Sequence, residues 1–226
     1  ISVTLYSERF PVHEWIRNTQ GDPYSLVSNQ ITNIIEDSDG DIWIATSNGV
    51  CLYNPRTRQW RSFLSSYQED KHDQNYVFIS LCEVEPGVVL VGGYMSGMYR
   101  IDKRDMTPRY LSPQSIGYKY IRPDKYIRSI YRDKEGIVWA GGYYNFKGIH
   151  PKNDYIEHYS ADYPVTFITA KDDQNLWIGT INGLYKFNKE LKKIQQVNLS
   201  SELGAINTIH QANEELTYIG THGTGP

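Results

Sequence analysis

Along this chain apolar residues come in short runs separated by polar turn residues, most plainly in residues 31–53, ITNIIEDSDGDIWIATSNGVCLY. Residues 31–35 are β-branched and apolar, which predicts a strand. Asp37-Ser38-Asp39-Gly40 predicts a tight turn, with Gly40 able to take the left-handed conformation a hairpin needs. Residues 42–46 predict a second strand, Ser47-Asn48-Gly49 a second turn, and residues 50–53 a third strand.

The same pattern returns four more times. Positions equivalent to Trp43 are Leu90, Trp139, Trp177 and Tyr218, so successive steps are 47, 49, 38 and 41 residues. Twelve residues before each anchor stand Ile31, Phe78, Ile127, Val165 and Ile206; nine before stand Ile34, Leu81, Ile130, Ile168 and Ile209. Two and three residues after stand Ala45-Thr46, Gly92-Gly93, Gly141-Gly142, Gly179-Thr180 and Gly220-Thr221. Spacing inside the unit is fixed while unit length varies, so insertions fall between units, as repeat proteins allow.

Each unit also carries a fourth segment, such as residues 59–63 or 155–159. Four short antiparallel strands in about forty residues is the arithmetic of a β-propeller blade. A β-helical solenoid needs a shorter period, and helical repeats need a 3.6-residue apolar pattern that is absent. The fold class predicted is therefore all-β, a propeller of four-stranded antiparallel blades. Complete blades are expected at about 31–63, 78–110, 127–159 and 165–197. Residues 1–16 supply the outer half of a blade and 206–226 the inner half, which predicts an open arc. In this reading the anchors fill the wedge between blades, and the small residue two places on admits a neighbouring backbone.

Composition changes this picture little. Apolar residues make up 39% and charged residues 22% of 226, with a net charge of -3. No basic surplus points to nucleic acid, and no apolar run approaches a membrane span. The 19 tyrosines and five tryptophans exceed what a core of this size needs and offer surface for stacking on a ligand. Cys51 and Cys82 read as small buried hydrophobes in strands, with no metal-ligand spacing.

The motif apolar-x-x-apolar, D-x-x-G, W-x-G-T and G-[LV]-x-x-[YF], fullest at residues 31–50 and 165–184, resembles the two-component regulator propeller repeat. The lead-in Asp22-Pro23-Tyr24-Ser25-Leu26-Val27-Ser28-Asn29 is similar to that family's approach to a blade. The second repeat departs from the motif at Leu90 and at Glu85-Pro86-Gly87, and the third by an enlarged loop after Gly142. The resemblance implies the periplasmic sensor region of a membrane-spanning hybrid histidine kinase of Bacteroidetes type, responding to polysaccharide fragments. Such a sensor comprises two seven-bladed propellers and an immunoglobulin-like domain, so this chain would be part of one ring. The implied partners are an oligosaccharide, the remaining blades and domains of the parent chain, and a second copy in a homodimer of the full sensor.

Candidate chemistry is sparse. Asp37-Ser38-Asp39-Gly40-Asp41 resembles the start of a calcium loop, but its twelfth position is Asn48, where an EF-hand needs Glu. The six histidines have no zinc spacing; His210 and His222 fall in one blade and are expected to be able to approach one another. A histidine base is the feature a propeller lyase or hydrolase, acting on a glycoside or ester, would need. No paired carboxylates, nucleophile motif or phosphate loop accompany it. No catalytic residue, metal or cofactor is expected, and a sensing module without chemistry is the leading reading.

Strand direction locates the expected ligand face. Consecutive strands run antiparallel, so the second-to-third turns and the crossovers between blades emerge together. Those turns are Ser47-Asn48 and Ile181-Asn182 in two repeats, but Tyr94-Met95-Ser96 in the second and residues 143–147 in the third. The crossovers 64–77 and 111–126 are also long. The candidate ligand-binding residues are accordingly Tyr94, Met95, Tyr118, Tyr120, Arg122, Lys125, Arg128, Tyr143, Tyr144, Asn145 and Lys147: rings to stack on sugars beside Arg, Lys and Asn donors.

Overall fold

The structure is a computed structural model describing residues 3–5, 14–65, 77–111, 125–143, 145–150, 155–198 and 204–222. It divides into two compact units, Ile1–Tyr110 and Leu111–Pro226. Every regular element among the described residues is a β-strand.

The first unit opens with β1 (Val3–Leu5) paired antiparallel to β2 (Glu14–Ile16). A four-stranded meander follows, made of β3 (Ile31–Glu36), β4 (Ile42–Thr46), β5 (Gly49–Asn54) and β6 (Gln59–Phe63), in that spatial order. A second meander contains β7 (Phe78–Glu85), β8 (Val88–Gly93), β9 (Gly97–Asp102) and the two-residue β10 (Arg109–Tyr110). In β3 half-buried and exposed residues alternate, while β4 and β5 are buried almost throughout. That difference follows from position, because central strands of a sheet packed on both faces have no solvent side. One face of the first sheet presents Trp43, Leu52 and Phe63 to Phe78, Leu81, Val89 and Val91 of the second. The opposite face sets Ile44, Cys51 and Tyr53 against Ile16, Leu26 and Val27.

The second unit repeats this plan. Its sheets are β11 (Ser129–Arg132), β12 (Val138–Gly141), β13 (Asn145–His150) and β14 (Tyr155–Ser160), then β15 (Val165–Ala170), β16 (Asn175–Thr180), β17 (Gly183–Asn188) and β18 (Lys193–Gln196). A two-stranded sheet of β19 (Ala205–Gln211) and β20 (Thr217–His222) completes it. Trp139 and Phe146 pack on Val165, Ile168 and Phe187, and Trp177 on Ile206 and Ile209. The small residues after the anchors admit the neighbouring sheet as the repeat pattern implies. A Cβ on Gly141 would lie 2.5 Å from Val165 Cγ1, and one on Gly179 would lie 2.7 Å from Ile206 Cγ2.

Two expectations need correction. Tyr218 does not fill a wedge: it is 59% exposed, with its ring beside His210. Nor is the third repeat's second turn enlarged. Asn145, Phe146 and Lys147 already belong to β13, and Gly141 pairs with Phe146 just as Ala45 pairs with Val50. Gly148 is not a turn glycine but lies mid-strand opposite Trp139. A Cβ there would meet the indole at 3.0 Å, so glycine is required by the ring lying over it.

One feature recurs without any sequence signature. The first strands β3, β7, β15 and β19 are each bulged near their start, at Thr32, Ile79, Thr166 and Asn207, where the register skips one residue. A bulge there bends the strand end and re-aims its side chain.

Candidate ligand face and inter-blade clamps

The turns between second and third strands differ by one residue type. Thr46 and Thr180 close two-residue turns: each hydroxyl donates to the glycine carbonyl three residues on (2.9 Å) and accepts the intervening asparagine N–H (3.1 Å). In the second repeat Gly93 stands at this position, so that closure is lost and Gly93 pairs instead with Gly97 across Tyr94-Met95-Ser96. The turn folds with Met95 at φ 63°, a left-handed conformation that an unbranched side chain adopts only at a cost. Tyr94 and Met95 are 45% and 47% exposed, so the predicted aromatic turn forms and faces solvent.

In the second unit Tyr143 is exposed and lies 5.3 Å, centroid to centroid, from Tyr126. Lys125 and Arg128 flank Tyr126 and are exposed; the Arg128 N–H is fixed on the Gly141 carbonyl at 2.9 Å. Arg128 occupies the position that is bulged in the other sheets. Asn145 and Lys147 stand in the ladder of β13, half-buried, opposite Ser160 and His158. Tyr118, Tyr120, Arg122 and Tyr144 lie outside the described residues. Of the residues named for the ligand face, the structure thus places Tyr143, Lys125 and Arg128 about Tyr126 in one unit, and Tyr94 with Met95 in the other.

The histidine pair does not form. His210 is opposite Tyr218 and His222 opposite Ala205, at the two ends of the β19–β20 hairpin. Ala205 and His210 are five residue steps apart along β19, roughly 16 Å at strand rise.

The acidic turn has a different role from the one its spelling suggests. Asp37 Oδ1 accepts the N–H groups of Asp39 and Asp41, both at 3.0 Å, and Oδ2 accepts Trp43 Nε1 at 2.8 Å. Lys103 Nζ, from the end of β9 in the next sheet, enters the space between the three carboxylates. It lies 3.0 Å from Asp37, 2.8 Å from Asp39 and 2.6 Å from Asp41. Burial opposes ionisation of Asp37, but the hydrogen bonds from Trp43 and Lys103 outweigh it and hold its carboxyl below the ordinary range. Burial likewise opposes the ammonium, and the three carboxylates overcome it and raise the Lys103 pKa. The second unit repeats the device. Asp133 accepts Trp139 Nε1 at 2.9 Å, and Lys189, after β17, reaches Asp133 at 3.3 Å and Glu135 at 2.8 Å. These clamps join neighbouring blades and fix the anchor tryptophan from its polar end. Sequence reading missed them, although Asp102-Lys103 and Asn188-Lys189 stand where the other two repeats have Asn54-Pro55 and His150-Pro151.

Residues 25–48 and 122–144 match the family model described as two component regulator propeller. These are two-component regulator propeller repeats. No curated protein sequence matches the chain. Among solved structures it is similar to the extracellular domain of a hybrid two-component system from B. thetaiotaomicron, with TM-score 0.75, 18% identity, 95% of this chain and 28% of that one. It is also similar to the extracellular domain described as a one-component system from the same organism, at TM-score 0.56 and 18% identity over 95% of this chain and 35% of that one. PorZ, a surface component of the type-IX secretion system of Porphyromonas gingivalis, gives TM-score 0.68 and 19% identity over 93% of this chain and 33% of that one. The chain thus spans between 28% and 35% of the length of these structures, and at such identities the likeness establishes the fold alone, a β-propeller.

Proposed function

We propose that the chain is a ligand-sensing propeller region, without chemistry of its own, from an extracytoplasmic sensor of the two-component type. The observation that carries the reading is the coincidence of two-component regulator propeller repeats with the fold of the extracellular domain of a hybrid two-component system. In this reading the region is periplasmic, belongs to an inner-membrane protein that dimerises, and recognises an oligosaccharide released from a polysaccharide. Occupancy is passed to a histidine kinase elsewhere in the parent chain. The exposed rings of Tyr94 and Tyr143 support recognition of a ligand with flat apolar faces. The hairpin register, which separates His210 from His222, weakens the lyase alternative.

The test uses the full-length protein in membrane vesicles with a panel of plant and host-glycan oligosaccharides. Binding is read by calorimetry, kinase output by autophosphorylation, and the fate of the sugar by mass spectrometry. Tight binding of one oligosaccharide, recovered intact and accompanied by changed autophosphorylation, is the expected result. A sugar returned cleaved would overturn the sensing reading in favour of a lyase or hydrolase.

A further inference from the structure

Two asparagines in the chain are followed by glycine, Asn48 and Asn182, and both stand in turns between second and third strands. Asparagine is a chemically labile side chain. A glycine after it removes the steric bar to reaction, because a residue without Cβ lets its backbone nitrogen reach the neighbouring side-chain amide. The two turns share their internal bonding. Each threonine hydroxyl, of Thr46 and of Thr180, donates to the glycine carbonyl at 2.9 Å and accepts the asparagine N–H at 3.1 Å. Gly49 and Gly183 both take a positive φ, 120° and 103°. Within the turns themselves, then, nothing separates the reactivity of the two asparagines.

Their surroundings do. The first turn is covered by the chain leaving β6: a Cβ on Gly49 would lie 2.9 Å from the Phe63 carbonyl oxygen, 3.1 Å from that of Leu64 and 3.0 Å from Ser65 Cβ. Ser47 ties the same turn to the segment before β3, its Oγ 2.9 Å from Ser28 Oγ and its N–H donating to the Gln30 carbonyl at 3.0 Å. Asn48 is half-buried there. The second turn is bare. The nearest atom a Cβ on Gly183 would meet is Gln196 Nε2, at 3.9 Å. Asn182 is exposed, its side-chain amide makes no hydrogen bond among the described residues, and Ile181 beside it is 45% exposed. Closing a ring at Asn182 therefore requires only that a turn at the end of a sheet opens, whereas at Asn48 the cover from residues 63–65 has to be released as well.

We propose that Asn182 is a site of spontaneous deamidation in the folded protein, and that the cover over Gly49 protects Asn48. The Gly183 nitrogen loses its proton and attacks Asn182 Cγ. The N–Cγ bond forms, the Cγ–Nδ2 bond breaks, and the amide nitrogen leaves as ammonia with that proton. Water then opens the cyclic imide at either carbonyl, giving aspartate or, with the backbone rerouted through Cγ, isoaspartate. Each event places one negative charge beside Ile181, on the face that carries the second-to-third turns and the crossovers. The isoaspartyl form also adds a carbon to the backbone between Thr180 and Gly183, so the two bonds of the Thr180 hydroxyl no longer fit the turn. The modification is independent of any ligand and marks the age of the molecule.

The experiment incubates the full-length protein at mildly alkaline pH, which favours loss of the amide proton, with a parallel sample unfolded in urea. Samples are digested with pepsin in acid, which halts the reaction, and both turn peptides are followed by mass spectrometry, with electron-transfer fragmentation to tell isoaspartate from aspartate. In native protein Asn182 is expected to convert at least about tenfold faster than Asn48, and in urea the two rates are expected to come within about threefold of one another. Asn182→Gln should abolish the mass gain at that position and leave both the circular dichroism spectrum and the rate at Asn48 unchanged. Equal rates in the native protein overturn the proposal, as does a native Asn182 that stays intact while the unfolded chain converts. A tenfold ratio that persists in urea also overturns it, since the difference would then belong to the flanking residues Ser47 and Ile181 and not to the cover.

Discussion

Replacing Lys103 with methionine isolates the contribution of the charged clamp, because the side chain keeps its length and loses only the ammonium. In the wild type Nζ neutralises Asp37, whose side chain is fully buried, and Asp41, 11% exposed, while Asp39 is 64% exposed and screened by solvent. The variant leaves the two buried carboxylates together, supported only by Trp43 Nε1, backbone N–H groups and the Asn54 amide on Asp41. Unpairing a buried charge costs about 3–5 kcal/mol, and an exposed pair contributes about 0–1. With Lys103 itself 15% exposed, a loss of about 2–4 kcal/mol is expected, equivalent to a melting point lower by about 5–12 °C for a chain of this size. Calorimetric melts at low salt are the assay, with Lys193→Met, on an exposed lysine, as control. Lys189→Met should cost roughly half as much, since only one of its two partners, Asp133, is buried and it lies at 3.3 Å. The pH dependence has a fixed sign. Asp37 has its pKa lowered from 3.8, so its contribution is complete above that value and disappears as the pH falls below it. Lys103 has its pKa raised from 10.5, so its contribution is complete below that value and is lost only as the pH rises beyond it. The gap between wild type and variant should therefore be constant from about pH 5 to pH 9. A Lys103→Met melt within about 2 °C of the control would refute the argument.

Two further outcomes follow from the packing. Gly141→Ala places a Cβ 2.5 Å from Val165 Cγ1 and 3.0 Å from Ile168 Cδ1, so it should lower stability by about 1–3 kcal/mol in a denaturant melt, whereas Gly21→Ala meets no atom within 4 Å and should cost only the strain of its φ of 83°. Burial pushes the Cys51 thiol up to about 11, so a maleimide at pH 8 should label the half-buried Cys82 in native protein and reach Cys51 only after denaturation.

How far the fold was legible depends on what set each residue. Strands and registers were legible wherever a side chain is chosen by burial, as with Trp43, Trp139 and Trp177 and the small residues after them. The third repeat misled because Gly148 looks like the glycine that opens a third strand. Asn145 holds that place, and Gly148 is glycine because an indole covers it. Tyr218 misled in the opposite way, since a repeat pattern records a position in the strand and not whether a neighbour is packed against it. The pairing of His210 with His222 failed because His210 stands at the turn end of the hairpin and His222 at its open end, opposite Ala205.

The clamps were illegible for a more general reason, which bears on function. Burial leaves a periodic trace because every blade needs it, but a contact between one blade's turn and the next blade's third strand joins residues 66 positions apart, as Asp37 and Lys103 are. Such a contact need not recur in every blade, and the alternation of Lys103 and Lys189 with Pro55 and Pro151 shows that it recurs only in alternate ones among these four. A binding site in a repeat protein has to break the repeat, so it is found where one blade differs from its neighbours. By that criterion the Tyr94-Met95 turn, three residues long where the turns at Ser47-Asn48 and Ile181-Asn182 have two, is a place where specificity can reside, and titration of a Tyr94→Ala variant tests it.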